Sequence, residues 1–287
     1  MKVKSYEEWS CERENARRRA RQFLDPHLER RKRGSKHPIY DFLFEYYSFR
    51  PSHLLRWSPG LDVFLEKATS ADLAPRWACI DESGAYLDRK KMPRHRFESW
   101  QWILQLLMET EKRSPQYACF GLHEWAMVYR GERRHNTTPL RITEECLENV
   151  LLSQGVRCTH FDAYRFFTKA ALPLNAYPLK ADTRIIWEQP GCIHVTMDLY
   201  KWAYKLWPWI DTELILDALF LAIEAREIDM RASPYDLSAW GYSAIEIETA
   251  DGRALYQRLQ QELTQKSRDI RKRLICAYQR ALVYNAA

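Results

Sequence analysis

The sequence predicts a mainly α fold: one compact helical domain with one or two short β elements. Three observations predict it. Apolar residues recur at helical spacing over long segments, such as Trp100, Ile103, Leu106 and Leu107. Cap and stop residues bound those segments. The chain has 287 residues, of which 46% are hydrophobic and 29% charged, so it can bury a sizeable core and is composed like a globular protein.

Taken in order, residues 5–33 read as helical, with an interruption expected near Asp25-Pro26 because proline is disfavoured inside a helix. Gly34-Ser35 ends this basic stretch, which is expected to form an N-terminal helical arm (residues 1–36) ahead of a single catalytic domain (residues 37–287). The segment HPIYDFLFEYYSFRPSHLLRWSPG crowds aromatic residues around Glu45 and Arg50 before the Pro59-Gly60 turn. Residues 61–95 carry short mixed elements with turn signals, Asp81-Glu82-Ser83-Gly84 among them.

A helix is expected over residues 97–112, followed by a buried helix or strand in YACFGLHEWAMVYR that enters a basic loop. Thr143 is placed to cap the helix EECLENVLLSQ, which Gly155 ends. A strand or turn and an irregular connector lead to two long helices near 194–206 and 211–230. The last helix runs near 252–284, with Leu255, Leu259, Leu263 and Ile270 on one face, and a small sheet or hairpin is expected at IEIE, residues 245–248. Length and pattern together suggest about ten helices.

Composition excludes several classes. The seven cysteines form no CxxC pair, which argues against a zinc ribbon and a disulfide framework. No apolar run is long enough to span a membrane, and the charged N-terminus lacks a signal-peptide core, so a cytoplasmic protein is expected. The net charge of +6 is unevenly placed. Arg17, Arg18, Arg19, Arg31 and Arg33 suit either phosphate contacts or a solvated helix paired with Glu12, Glu14 and Glu29. The 11 Trp and 16 Tyr fill the core and its rim, with some available to stack on a flat ligand such as a base.

The chemistry concentrates between Glu188 and Leu237, where carboxylates and a histidine interrupt apolar helical faces. Such groups are costly to bury unless paired, protonated or bound to metal. His194 and Asp198 stand one helical turn apart, and Asp217 and Glu224 stand two turns apart. His160 and Asp162 form an HxD, and His123-Glu124 a further pair. Imidazole and carboxylate ligands from facing helices are the recipe for an iron or manganese centre, although the paired Glu-x-x-His motifs of ferritin-like bundles are absent. These eight residues are the ligand set of an alternative reading, a metal-dependent enzyme acting on a small molecule. Just beyond the apolar helix, Asp229, Arg231, Tyr235 and Asp236 offer an anion- or base-binding rim.

Pro190-Gly191, Thr196, Trp207-Pro208, Ile210 and Asp211-Thr212 fall in an order that resembles the catalytic hairpin of the helix-hairpin-helix DNA glycosylases. Together with HPIYDFLFEYYSFRPSHLLRW, CFGLHEWAMVYR and MDLYKWAYKL, most of residues 35–237 resembles a bacterial family commonly labelled 3-methyladenine DNA glycosylase. The resemblance implies a monofunctional N-glycosylase that excises alkylated purines from DNA, without a cofactor. It assigns the catalytic carboxylate to Asp211, with Glu188 and Asp198 in reserve, and substrate contacts to Gly191, Tyr204, Trp207, Arg231 and Tyr235. DNA would be held through its backbone and a flipped base. A fixed carboxylate would stabilise the oxocarbenium character of the sugar. A nucleosidase acting on a free modified nucleoside would use the same chemistry. Three departures stand out: Ile193 replaces the second hairpin glycine, the gap to Asp211 is shorter than in the superfamily, and Val195 occupies the place of the lyase lysine. Asp211 is also well placed as an ordinary helix N-cap.

Overall fold

Residues 1–47, 49–131 and 138–283 are described by a computed structural model. The chain opens with strand β1 (Lys2–Lys4) and helix α1 (Tyr6–Lys32). Ser5 starts α1 with a reciprocal cap, its hydroxyl accepting from the Glu8 amide while the Glu8 carboxylate accepts from the Ser5 amide. Contrary to the expected break, α1 continues unbroken through Pro26. Trp9, Ala16, Ala20, Leu24 and His27 bury one stripe of it against the body. That burial outweighs the penalty of about 3 kcal/mol for an interior proline.

The helix is therefore built into the domain and does not project as an arm. Arg19 pairs with Glu213 and Asp217 on a later helix, and Arg30 with the buried Asp41. Arg17 pairs with Glu14 at 2.8 Å and Arg33 reaches Glu29 at 4.0 Å, local pairs of the solvated-helix kind.

Helix α2 (Phe42–Tyr46) follows, and then strands β2 (Val63–Glu66), β3 (Ala78–Ile80) and β4 (Gly84–Leu87). The four strands form one sheet in the order β1-β2-β4-β3, with β1 parallel to β2 and the other pairs antiparallel. Only glycine fits at position 84, since a Cβ there would lie 2.0 Å from the Leu65 carbonyl oxygen. The sheet is thus near the N-terminus and not at 245–248. Ile245 and Ile247 are buried as alternation suggests, but the Ile247 amide donates back to the Ile245 carbonyl at 2.8 Å. The Ile245 amide donates to the Arg231 carbonyl at 2.8 Å, so the chain there is tied down by a turn and this one bond and forms no strand among the described residues.

Helices α3 (Phe97–Lys112), α4 (Leu122–Ala126), α5 (Glu144–Gln154), α6 (Phe161–Tyr164) and α7 (Arg184–Trp187) lead to the central pair, α8 (Ile193–Leu206) and α9 (Thr212–Arg231). Helix α10 (Ala250–Leu282) closes the domain by packing on α3, α8 and α9. Among the described residues the helices number ten, and the fold is mainly α with a few short strands. Thr143 caps α5 and Gly155 ends it, as expected. Helix α8 buries its side chains on nearly every side, so its polar members, His194, Thr196 and Asp198, are committed to the interior. None of the described helices is long and apolar enough to cross a membrane.

Asp41 ties α1 to α2. Its carboxylate accepts from Arg30 Nε at 2.9 Å, from the His37 amide at 2.8 Å, and faces His27 Nδ1 at 2.8 Å. Burial pushes this carboxyl up, but Arg30 and His27 outweigh it and hold it below the usual aspartate range. Asp41→Asn should cost about 1.5–3 kcal/mol in urea unfolding near neutral pH. Because the folded-state value is depressed, the stabilisation is present above the ordinary aspartate pKa. It fades as pH falls through the folded value, so wild type and variant should begin to converge below about pH 4 and meet once the folded carboxyl is protonated.

Candidate metal centre

Three elements converge behind the surface. Helix α4 contributes His123 and Glu124, α8 contributes His194 and Asp198, and α9 contributes Arg226 and Asp229, one turn apart. Asp229 is fully buried, with His123 Nε2 at 2.6 Å from one carboxylate oxygen and Arg226 donating to the other at 2.7 Å. The same guanidinium donates to Glu124 at 2.6 Å and lies 3.9 Å from the centre of the Phe42 ring. Cys119 Sγ is 3.3 Å from the other ring nitrogen of His123.

Electrostatics in this group are set by burial and by the partners. Burial pushes the Asp229 carboxyl up, and His123 and Arg226 more than reverse it, so the group is ionised. Burial lowers His123, but Asp229 raises it further, well above an ordinary histidine. His194 goes the other way, with burial and then the charge on His123 keeping it neutral. Its ring meets His123 edge to face at 4.4 Å and lies nearly parallel to His160 at 5.3 Å. The Nδ1 atoms of His194 and His160 are both buried without a hydrogen-bond partner.

A second group adjoins the first. His160 Nε2 is 3.3 Å from Asp198 Oδ2 and 3.8 Å from Glu188. Tyr47 donates to the other Asp198 oxygen at 2.8 Å. Arg184 donates to Glu188 at 2.7 Å and to Asp198 at 3.2 Å, and Lys201 bridges Asp162 and Asp198 at 3.0 and 3.3 Å. Burial pushes Asp198 up, while Lys201, His160 and Arg184 bring it far below the usual range.

His123, His194 and Asp229 present ligating atoms within 4.8 Å of one another, as do His160, Asp162 and Asp198. Both groups can hold a metal ion, which corrects the expectation of a protein that uses no cofactor. The two differ in what already occupies them. Arg184 and Lys201 sit between the carboxylates of the second group, so a cation there would have to displace them. In the first group Arg226 takes the far oxygen of Asp229 and His123 the near one, while His194 Nδ1 is left open.

His194, Glu124, Arg226 and Asp162 also line a cleft of about 950 Å³, whose other walls include Phe42 and Tyr46. Of the eight ligands expected from sequence, six gather here: His123, Glu124, His160, Asp162, His194 and Asp198. Asp217 and Glu224 do not. They lie on the outer side of α9, where Asp217 pairs with Arg19 and Arg273 and Glu224 with Lys266. Asp229, Arg226, Arg184 and Lys201 are site residues that the ligand set lacks. One signal for two of them is spacing: Arg226 and Asp229 follow the buried Ala222 at i+4 and i+7.

The residues assigned by the glycosylase resemblance are dispersed, and apart from Glu188 and Asp198 none joins these groups. Asp211 caps α9, accepting from the Leu214 amide at 2.8 Å. The Gly191 amide is buried and donates to Gln189 at 2.7 Å, and a Cβ at Gly191 would lie 2.6 Å from the Gln116 carbonyl oxygen. Tyr204 bonds His53 at 2.7 Å, Trp207 donates to the Arg56 carbonyl at 3.1 Å, and Arg231 donates to the Ser243 carbonyl at 3.0 Å. Tyr235 is buried at 2% exposure. Compared with known protein families, characterised proteins and solved structures, the chain matches none.

Asp229→Asn would leave Arg226 and a protonated His123 without their shared counter-charge in the core. A loss of about 3–5 kcal/mol is expected, read as a fall in the midpoint of chemical unfolding. Asp211→Ala should cost only the roughly 1 kcal/mol of a lost N-cap.

Proposed function

We propose that this protein is a metal-dependent enzyme acting on a small molecule, with the ion held by His123, His194 and Asp229 at the inner end of the cleft. One observation carries this reading: a two-histidine, one-carboxylate donor set drawn from three helices reaches a cleft of about 950 Å³ through His194, with His123 and Asp229 behind it. The unpartnered Nδ1 of His194 supports it, because a buried polar atom without a partner is costly unless something binds there. This donor set suits iron(II) or manganese(II), which would supply Lewis-acid or oxygen chemistry. The aromatic walls at Phe42 and Tyr46 suit a substrate with a flat or apolar body. Arg226 orients Asp229 and Glu124 together. Of the carboxylates lining the cleft, Glu124 is the one that Arg226 ties to Asp229, and it would accept a proton from a bound substrate.

The test is elemental analysis of the purified protein, followed by calorimetric titration of the metal-free form with manganese(II). One ion per chain is expected. His194→Ala should weaken binding at least about 100-fold, and its Nδ1 makes no hydrogen bond among the described residues that the substitution would remove. Metal and proton compete for His123, so affinity should rise with pH. Absence of stoichiometric metal, together with no uptake of iron(II) or manganese(II), would retire this reading.

A second reading is the N-glycosylase acting on alkylated purines. It is favoured by the coincidence of aromatic side chains and the carboxylates Glu124 and Asp162 in one cleft, a place for a flipped base. Release of free base from alkylated duplex DNA by a metal-free preparation tests it directly.

A further inference from the structure

Away from the cleft, the turn between α8 and α9 forms one wall of a second pocket of about 270 Å³, and no residue lines both. Its lining is rich in tryptophan, with Trp77 and Trp207 meeting edge to face at 4.9 Å. Its rim is arginine. Arg13 is committed to Asp72, the carboxylate of this pocket, and Arg17 to Glu14. Arg56 and Arg76 are exposed, and among the described residues neither has a carboxylate within ion-pairing distance. Arg76 is held in place by lying 3.8 Å from the centre of the Trp77 ring.

The surplus of positive charge registers on a neighbour. His53, which stacks on Trp207 at 5.9 Å, is lowered by burial and then by Arg56, Arg50 and Arg76. A folded chain gains nothing from gathering unpaired guanidinium groups, since they repel one another unless an anion joins them. Guanidinium forks match phosphate oxygens, and indole faces match planar rings. The volume is just below the roughly 300–1,000 Å³ usual for small-molecule sites, which limits the ligand to a monomer.

We propose that this pocket binds a ligand of the mononucleotide class, with its phosphate on Arg56 and Arg76 and its ring against Trp77 and Trp207. The site is independent of the metal centre. Calorimetric titration with adenosine 5′-monophosphate, inorganic phosphate and a 5′-phosphorylated single-stranded oligonucleotide tests it. Saturable binding of the nucleotide is expected, tighter than that of inorganic phosphate. The double variant Arg56→Ala/Arg76→Ala should bind at least about tenfold more weakly with unchanged thermal stability, because both side chains are exposed. Trp77→Leu should lose more affinity for the nucleotide than for inorganic phosphate, since it removes the ring contact and loosens only one of the two guanidinium groups. His194→Ala should leave both unchanged, which separates this site from the metal reading. An oligonucleotide bound more tightly than the mononucleotide would assign the same chemistry to a strand end, and comparable binding would assign it to a free nucleotide. No saturable binding of either, or equal affinity in the double variant, would overturn the proposal.

Discussion

The carboxylate of Asp229 carries a full negative charge at a position with no exposure to water. An unpaired charge there would cost several kcal/mol, so its neighbours are tightly constrained. His123 must reach it from α4, and Arg226 must reach it from one turn earlier on α9. Arg226 in turn needs Glu124 to balance it. A five-residue helix such as α4 has little stability of its own, and this charge set helps hold it against α9. The same interaction brings His123 against His194 on the central helix. Stability and site geometry are here one constraint.

The neighbouring set around Asp198 solves a similar problem differently. Three carboxylates, Asp162, Glu188 and Asp198, are balanced by Arg184, Lys201 and, on Asp162, Arg165, with Tyr47 filling a remaining acceptor of Asp198. Arg184 and Lys201 lie between these carboxylates, so an added cation would have to displace them, whereas in the Asp229 set Arg226 takes the oxygen that faces away from His123. The histidines form a row across the two sets, with His194 in the middle, neutral and bordering the cleft. That arrangement places a deprotonated imidazole at the wall of the cleft.

Charge elsewhere follows the same logic of pairing. The basic first helix looks from its composition like a surface for polyanions, yet Arg13, Arg19 and Arg30 are used to bind it to the body. Positive charge without a carboxylate partner among the described residues collects instead around Arg50, Arg56 and Arg76, three residues that no run in the sequence groups together. Net charge therefore says little about where an anion would bind.

Helical periodicity and caps determined most of the fold. The spacing of Trp100, Ile103 and Leu107 set α3, Thr143 and Gly155 bounded α5, and Asp211 opened α9. Residue type alone also marked His123, Glu124, His160, Asp162, His194 and Asp198 as groups that a core tolerates only for a reason. Tertiary structure decided which of them meet. Periodicity shows which side chains share one side of a helix, but α9 is apolar nearly all round, so it could not say which side faces inward. Packing by α1 and α10 turned Asp217 and Glu224 outward and left Asp229 inside. His123 and Asp229 are 106 residues apart in the chain, and no local pattern encodes a contact that exists only once α4 docks on α9. The sheet was hidden for a similar reason: strands of three and four residues carry too short an alternation to read, and their pairing depends on β1 arriving from the N-terminus.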